Sequence, residues 1–249
     1  MIKQFLLILA VFVFLPSTVV FAESSGQCVG LPGDIALRTY LLDAVTGTGV
    51  SGPLGPGTGA GGLFGGARMW GAVVNRDGKI CAYVTSTIDP TQVWPGSQAI
   101  AKAKAYTANG FSLDALALST ARLYTFVQPG HSLFGLNQSN PFHSSLLAPT
   151  SGAGGGHGKI AGGIITFGGG VPLYGSAGQI IGGLGISGDT ACADHEIAKR
   201  VRDLAGLNPS GGALVDDIVY TMADGPSVFA HSLCLNTLRN GVFIGDEAP

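Results

Sequence analysis

Apolar and polar positions change period several times along the chain. Leu37, Leu41 and Ala44/Val45 recur at helical spacing after Pro32-Gly33-Asp34, which predicts a helix to about Val45. Apolar runs at 69–74 and 80–85 flank Asn75-Arg76-Asp77-Gly78, a hairpin signal because glycine accepts positive φ. Ser97 is expected to cap an Ala/Lys-rich helix that stops at Asn109-Gly110; Ser112 is expected to cap another, ended by Pro129-Gly130. Residues 160–167, 171–174 and 179–187 read as strands, divided by 168–170 and by Ser176-Ala177-Gly178. A last helix opens at Asp189 or Thr190, with Ala193, Ile197, Val201 and Leu204 on one face, and ends at Gly206. Its acids lie early and Lys199, Arg200 and Arg202 late, as the helix dipole favours. Short links between neighbouring strands make hairpins. The expected class is therefore α+β: an antiparallel sheet of about five strands with helices packed on it.

Three stretches interrupt this pattern. Residues 46–67 are almost all Gly, Ser, Thr and Pro, and read as a flexible loop without side chains to fill a core. Residues 127–159 form a second long loop, and the tail 208–249 is turn-rich with one short apolar run at 218–222. At the start, Lys3, an apolar run at 5–15 and Val20-Phe21-Ala22 have the order of a secretory leader, residues 1–22. The remaining 23–249 reads as a single domain, periplasmic or secreted.

Charge narrows the partners. The net charge is −2 and no basic stripe occurs, which argues against nucleic acid and, once the leader is removed, against a membrane surface. Only 11% of residues are charged, so buried subunit interfaces and a homo-oligomer are expected. Four cysteines in an exported chain suggest two disulfides, with three possible pairings. Cys28–Cys81 with Cys192–Cys234 is the expected set, each bond tethering a terminal segment to the sheet region.

Several blocks carry a family resemblance in the right order. They are Asn75-Arg76-Asp77-Gly78-Lys79, the small-residue helix 99–105, Asn109-Gly110-Phe111-Ser112, Gly169-Gly170-Val171-Pro172, the glycine-rich strand 181–188 and the Asp-led helix 194–204. Together they resemble the GlcG/HbpS-like family of haem-binding, haem-degrading proteins, whose fold also occurs at the C-terminus of PduO proteins. The similarity spans about 32–207; the leader, the 46–67 insert, the loop 127–159 and the tail set this chain apart as an exported subgroup. The resemblance implies noncovalent haem binding for capture, sensing or protection. In the family the iron ligand is a histidine in some members and an oxygen donor in others.

Haem needs an apolar slot, an axial donor and usually a group for its propionates. His131 and His143 are the candidate axial ligands, because they bracket Phe134, Leu136 and Phe142. His157, His195, His231 and Tyr124 are further donors. Phe111, Gly169, Gly170, Ser187, Gly188 and Asp189 are candidate cofactor contacts from the matched blocks. No Cys-x-x-Cys-His occurs, which excludes covalent c-type attachment. Gly183-x-Gly185-x-x-Gly188 imitates a dinucleotide fingerprint, but the strand before it pairs antiparallel, so it reads as packing glycine. His195-Glu196 lacks the second histidine of a zinc helix, Lys199 standing there. Asp216-Asp217 reads as a solvated pair. Two other functions remain open: an enzyme or accessory protein holding a small organic acid at the helix start 187–189, or an assembly module without ligand.

Overall fold

The computed structural model describes residues 27–143 and 155–247; the leader lies outside them. The centre is an antiparallel sheet in the order β2-β1-β4-β3, with β1 Trp70–Asn75, β2 Ile80–Thr85, β3 Gly170–Tyr174 and β4 Ile180–Ser187. Both faces are covered, so β1 and β2 are buried at every position. On one face Val73, Val171 and Leu184 meet Leu37 and Leu41 of α1 (Asp34–Thr46) and Ile197 and Val201 of α3 (Ala191–Leu204). On the other, Trp70, Ala72 and Val74 meet Ala101 and Ala105 of α2 (Gly96–Phe111). The sheet is thus the middle of three layers.

α2 lies unusually close to β4. A Cβ on Gly185 would stand 1.9 Å from the Ala101 carbonyl oxygen, and one on Gly183 2.2 Å from that of Ala105. The fingerprint-like glycines are therefore contact surface for a helix backbone, as the antiparallel context implied.

Several local expectations change. The residue before α2 is Pro95, and Ser97 is buried within the first turn. No α-helix follows Ser112: its hydroxyl donates to the Leu118 carbonyl and accepts the Leu118 N–H, closing a loop. Short 3-10 turns at Thr120–Leu123 and Thr125–Val127 come next. Residues 160–167 do not join the sheet as a strand, because Gly162 and Gly163 both take positive φ. Bridges to Lys79 and Phe142, the Ile165 N–H on Thr107 and the Thr120 hydroxyl on the Phe167 carbonyl hold this segment in place. The 46–67 insert does contribute to the core, through fully buried Ala60 and Leu54.

The tail adds a parallel pair, β5 (Val219–Tyr220) with β6 (Ala230–His231), the one-turn α4 (Thr221–Asp224), and a hairpin of β7 (Thr237–Arg239) and β8 (Val242–Gly245). Insert and tail bury the charged face of α3. Arg200 donates to the carbonyls of Ala44, Gly57 and Gly59. Arg202 grips Asp216 through two bonds of 2.6 and 3.0 Å, and Lys199 meets Asp217 at 2.7 Å and Glu196 at 2.8 Å. Asp216 is completely buried, so the 216–217 pair is an internal clamp rather than a solvated one. Disulfides join Cys28 to Cys81 and Cys192 to Cys234.

Two outcomes follow from this packing. Gly185→Ala is expected to cost about 3 kcal/mol, the upper end for overpacking, and to lower Tm by roughly 6–12 °C for a domain of this size. Gly96→Ala, with nothing within 4 Å of the added carbon, leaves Tm nearly unchanged. For the clamp, burial raises the Asp217 pKa, but His195 and Lys199 outweigh it and hold the carboxyl below its usual 3.8. A depressed folded value means that the stabilisation is complete above pH 3.8 and is lost as pH falls below it. Asp217→Asn should cost about 3 kcal/mol at neutral pH, because Lys199 loses a buried partner. Urea unfolding between pH 7 and 2 should show the variant losing less stability on acidification than the wild type; parallel curves would contradict the clamp.

Candidate functional site

A cleft of about 350 Å³ opens where four separate segments meet. The β1–β2 turn supplies Arg76 and Gly78, the last turn of α2 supplies Tyr106, Asn109 and Phe111, and the crossing segments supply Asn140 and Ile164. Arg76 is placed by the end of the helix. Its guanidinium donates to the Asn109 backbone carbonyl, to Asn109 Oδ1 at 3.0 Å and to the Ser112 carbonyl at 3.1 Å. A cation at a helix C-terminus satisfies carbonyls that the helix leaves over. The side chain is exposed, so the remaining N–H groups stay available at the rim. Tyr106 packs its ring edge against Gly78, where a Cβ would come within 2.6 Å of it. The arrangement offers an aromatic and aliphatic wall beside one fixed cation, with the exposed Asp77 carboxylate next to it.

Among the sequence candidates, Phe111 lines this cleft. His131 and His143 are both exposed. His131 belongs to the turns following 125–127, with its N–H on the Gln128 carbonyl. His143 stands three residues beyond Asn140, its N–H on the Ala161 carbonyl at 3.4 Å. The lining residues themselves include no imidazole. Arg76, Tyr106, Asn140 and Ile164 escaped the sequence reading; the Asn75–Lys79 block signalled the turn but not the cleft beside it.

The remaining candidates gather at the opposite end of β4. Lys104, fully buried, reaches from α2 to Asp194 at 2.6 Å and the Ile186 carbonyl at 3.0 Å. Asp194 Oδ1 accepts the N–H groups of Gly188 and Asp189. Burial pushes the Asp194 carboxyl up to about 6 despite the Lys104 charge, and the same burial lowers the Lys104 ammonium. Asp189 accepts from the backbone of Leu63, Phe64 and Gly66 at 2.6, 2.8 and 3.1 Å. Thr190 caps the helix through Ala193 N–H. The donors at this helix start are thus already bound by the chain's own carboxylates. Gly169 and Gly170 pack against Lys104 and Thr120, and Ser187 is buried.

The other donors are also placed. His157 pairs with Asp34 at 3.0 Å, and this hydrogen bond raises its pKa. His195 is fully buried, 3.4 Å from Asp217 Oδ1, an electrostatic contact rather than an aligned hydrogen bond. His231, pushed down to about 4 by burial, lies with its ring centroid 4.6 Å from that of Tyr124.

Comparison with known proteins places this geometry. The family model described as haem degrading protein HbpS-like matches residues 65–203, which hold all of the cleft. Among solved structures, Klebsiella pneumoniae protein ORFY is 22% identical, with 69% of this chain and 86% of that chain covered at a TM-score of 0.45. A PduOC complex with haem is 23% identical, with 70% and 92% covered and a TM-score of 0.45. HbpS is 16% identical, with 68% and 86% covered and a TM-score of 0.41. No curated protein matches. With more than half its length matched by the family model, the chain belongs to the HbpS-like family of haem-degrading proteins.

Proposed function

We propose that this chain binds haem noncovalently at the cleft beside the end of α2. The observation that carries the reading is the position of an aromatic-walled cleft with one rim cation inside the segment that defines the family. The residues fit the periphery of a porphyrin. Tyr106, Phe111 and Ile164 would contact the macrocycle, and the free N–H groups of Arg76 would meet a propionate. The volume is at the lower end for small-molecule sites, so much of the ring would remain outside the wall of a single chain. The axial donor would come from the segment that closes the cleft, and His143 is its imidazole. Bound haem would supply redox chemistry at its iron; the chain's part is to hold and orient it.

The leader-like start supports a role outside the cytoplasm, in capture, sensing or protection. Self-assembly is supported by apolar side chains left at the surface, Ile88 at 97% exposure and Phe134 at 67%. A partner copy could then cover the open side of the cleft.

Titration with hemin, followed at the Soret band, tests the reading. A saturable, shifted band is expected, with at least tenfold weaker binding in Tyr106→Ala/Phe111→Ala, since two aromatic contacts contribute more than the 1.4 kcal/mol that a factor of ten represents. His143→Ala should move the band. A broad, unsaturating response, or unchanged affinity in the double variant, would reject this site. Saturation by a small carboxylate that hemin cannot displace would favour the organic-acid alternative.

A further inference from the structure

We propose that Cys192, Cys234 and His231 form a redox-gated zinc site, closed while the disulfide stands and opened by its reduction. One ligand atom from each residue lies within 4.8 Å of the others, and all three residues are buried. Two thiolates and an imidazole at that spacing make a soft donor set suited to zinc, with the fourth position left to water.

The surroundings suit each donor to this role. Cys192 occupies the second position of α3, where the helix N-terminus favours a thiolate. Its backbone N–H donates to Cys234 Sγ at 3.2 Å, so negative charge on that sulfur also meets a donor. His231 Nδ1 donates to the Ser232 carbonyl at 2.6 Å, while Nε2 accepts the Gly168 N–H at 3.4 Å. Nδ1–H held on a carbonyl defines a neutral ring, the form that ligates metal, and ligation through Nε2 would replace the long Gly168 N–H contact. Tyr124 and Tyr220 flank the ring at centroid distances of 4.6 and 6.5 Å and limit its rotation. Cys28–Cys81 belongs to no such three-donor group among the described residues.

The chemistry balances with a dithiol as reductant. Its thiolate attacks Cys234 Sγ, in the less buried of the two residues, and the Cys192 thiolate departs at the helix start. The second dithiol sulfur then releases Cys234, so two electrons and two protons pass to the protein and the reductant becomes a disulfide. Zinc binding displaces two thiol protons to solvent. In either state the same residues tie the tail to α3: a covalent bond is exchanged for a metal bridge.

The test uses the full chain, oxidised and after reduction with excess dithiothreitol removed anaerobically, titrated with Co²⁺ and then Zn²⁺ against a chromogenic chelator. The reduced chain is expected to bind one equivalent and show a thiolate-to-cobalt charge-transfer band that zinc abolishes. The oxidised chain should show none. Cys28→Ser/Cys81→Ser should retain the band, Cys192→Ser should lose it, and His231→Ala should bind at least tenfold more weakly. Circular dichroism covers the case in which reduction unfolds the chain, since zinc must then restore the helical signal. No cobalt band in the reduced chain, an equal response in the oxidised chain, a band that survives Cys192→Ser, or helix lost on reduction and not recovered with zinc would each overturn the site. Haem binding is not involved in any of these readouts.

Discussion

The contact that orders the sheet's outer helix is backbone to backbone, where Gly183 and Gly185 of β4 meet the carbonyls of Ala105 and Ala101 in α2. No other residue type permits it at 1.9–2.2 Å from the would-be Cβ. Because β4 is paired on both sides, by β1 and β3, the helix is seated on the middle of the sheet rather than at an edge. That seat fixes where α2 ends, and with it the positions of Tyr106, Asn109 and Phe111 against the β1–β2 turn. It also carries Lys104 to the far end of β4, where it meets Asp194. The cleft and the buried ion pair are two consequences of one contact.

The second organising feature is the burial of α3. Lys199, Arg200 and Arg202 would make an ordinary solvent face, yet all three are completely buried. Charges so placed need partners, and beside Glu196 and the Pro172 carbonyl within the matched family region they draw on segments outside it: Gly57 and Gly59 before it, Asp216, Asp217 and Asn240 after it. The insert also hands three backbone N–H groups to Asp189. Insert and tail are thereby tied to the same helix through polar contacts with fixed geometry. The energetic consequence is asymmetric: deleting one partner leaves a charge stranded, whereas the intact network is close to neutral in its net contribution.

These features differ in how far the sequence could disclose them. The α3 apolar stripe, the Asn75–Lys79 turn and the glycine-rich β4 are set by neighbours in the chain, so pattern and turn chemistry reveal them. Ser112 had the residue type of a cap but not its use, because its hydroxyl found Leu118 instead of a helical N–H. Residues 160–167 had strand composition, yet two consecutive positive-φ glycines redirected the chain. The Asp216–Asp217 clamp and the insert's role depend on partners 14 to more than 120 residues away, which no local pattern contains. The candidate cleft divides the same way: Phe111 came from a matched block, whereas Arg76 and Tyr106 matter only once the turn and the helix end are brought together.

The register of β1 against β4 separates the two proposed sites. Trp70 faces Ser187 at the α3 end, and Asn75 faces Gly182 at the cleft end. Five residue steps of extended chain put roughly 17 Å between them. Each end has its own disulfide: Cys81 follows Ile80 beside the cleft turn, and Cys192 lies in the first turn of α3. Among the described residues, the latter is the one grouped with an imidazole donor. A change of state at Cys192–Cys234 would therefore act on the tail and α3 without passing through the cleft, unless the shift reached Lys104 through Asp194. That pair is a physical link between the two ends, since Lys104 lies one residue from Ala105 on the helix whose C-terminal part forms the cleft wall. Coupling between ligand at one end and redox state at the other has two routes, the strands β1 and β4 that span both ends and α2 through Lys104 and Asp194.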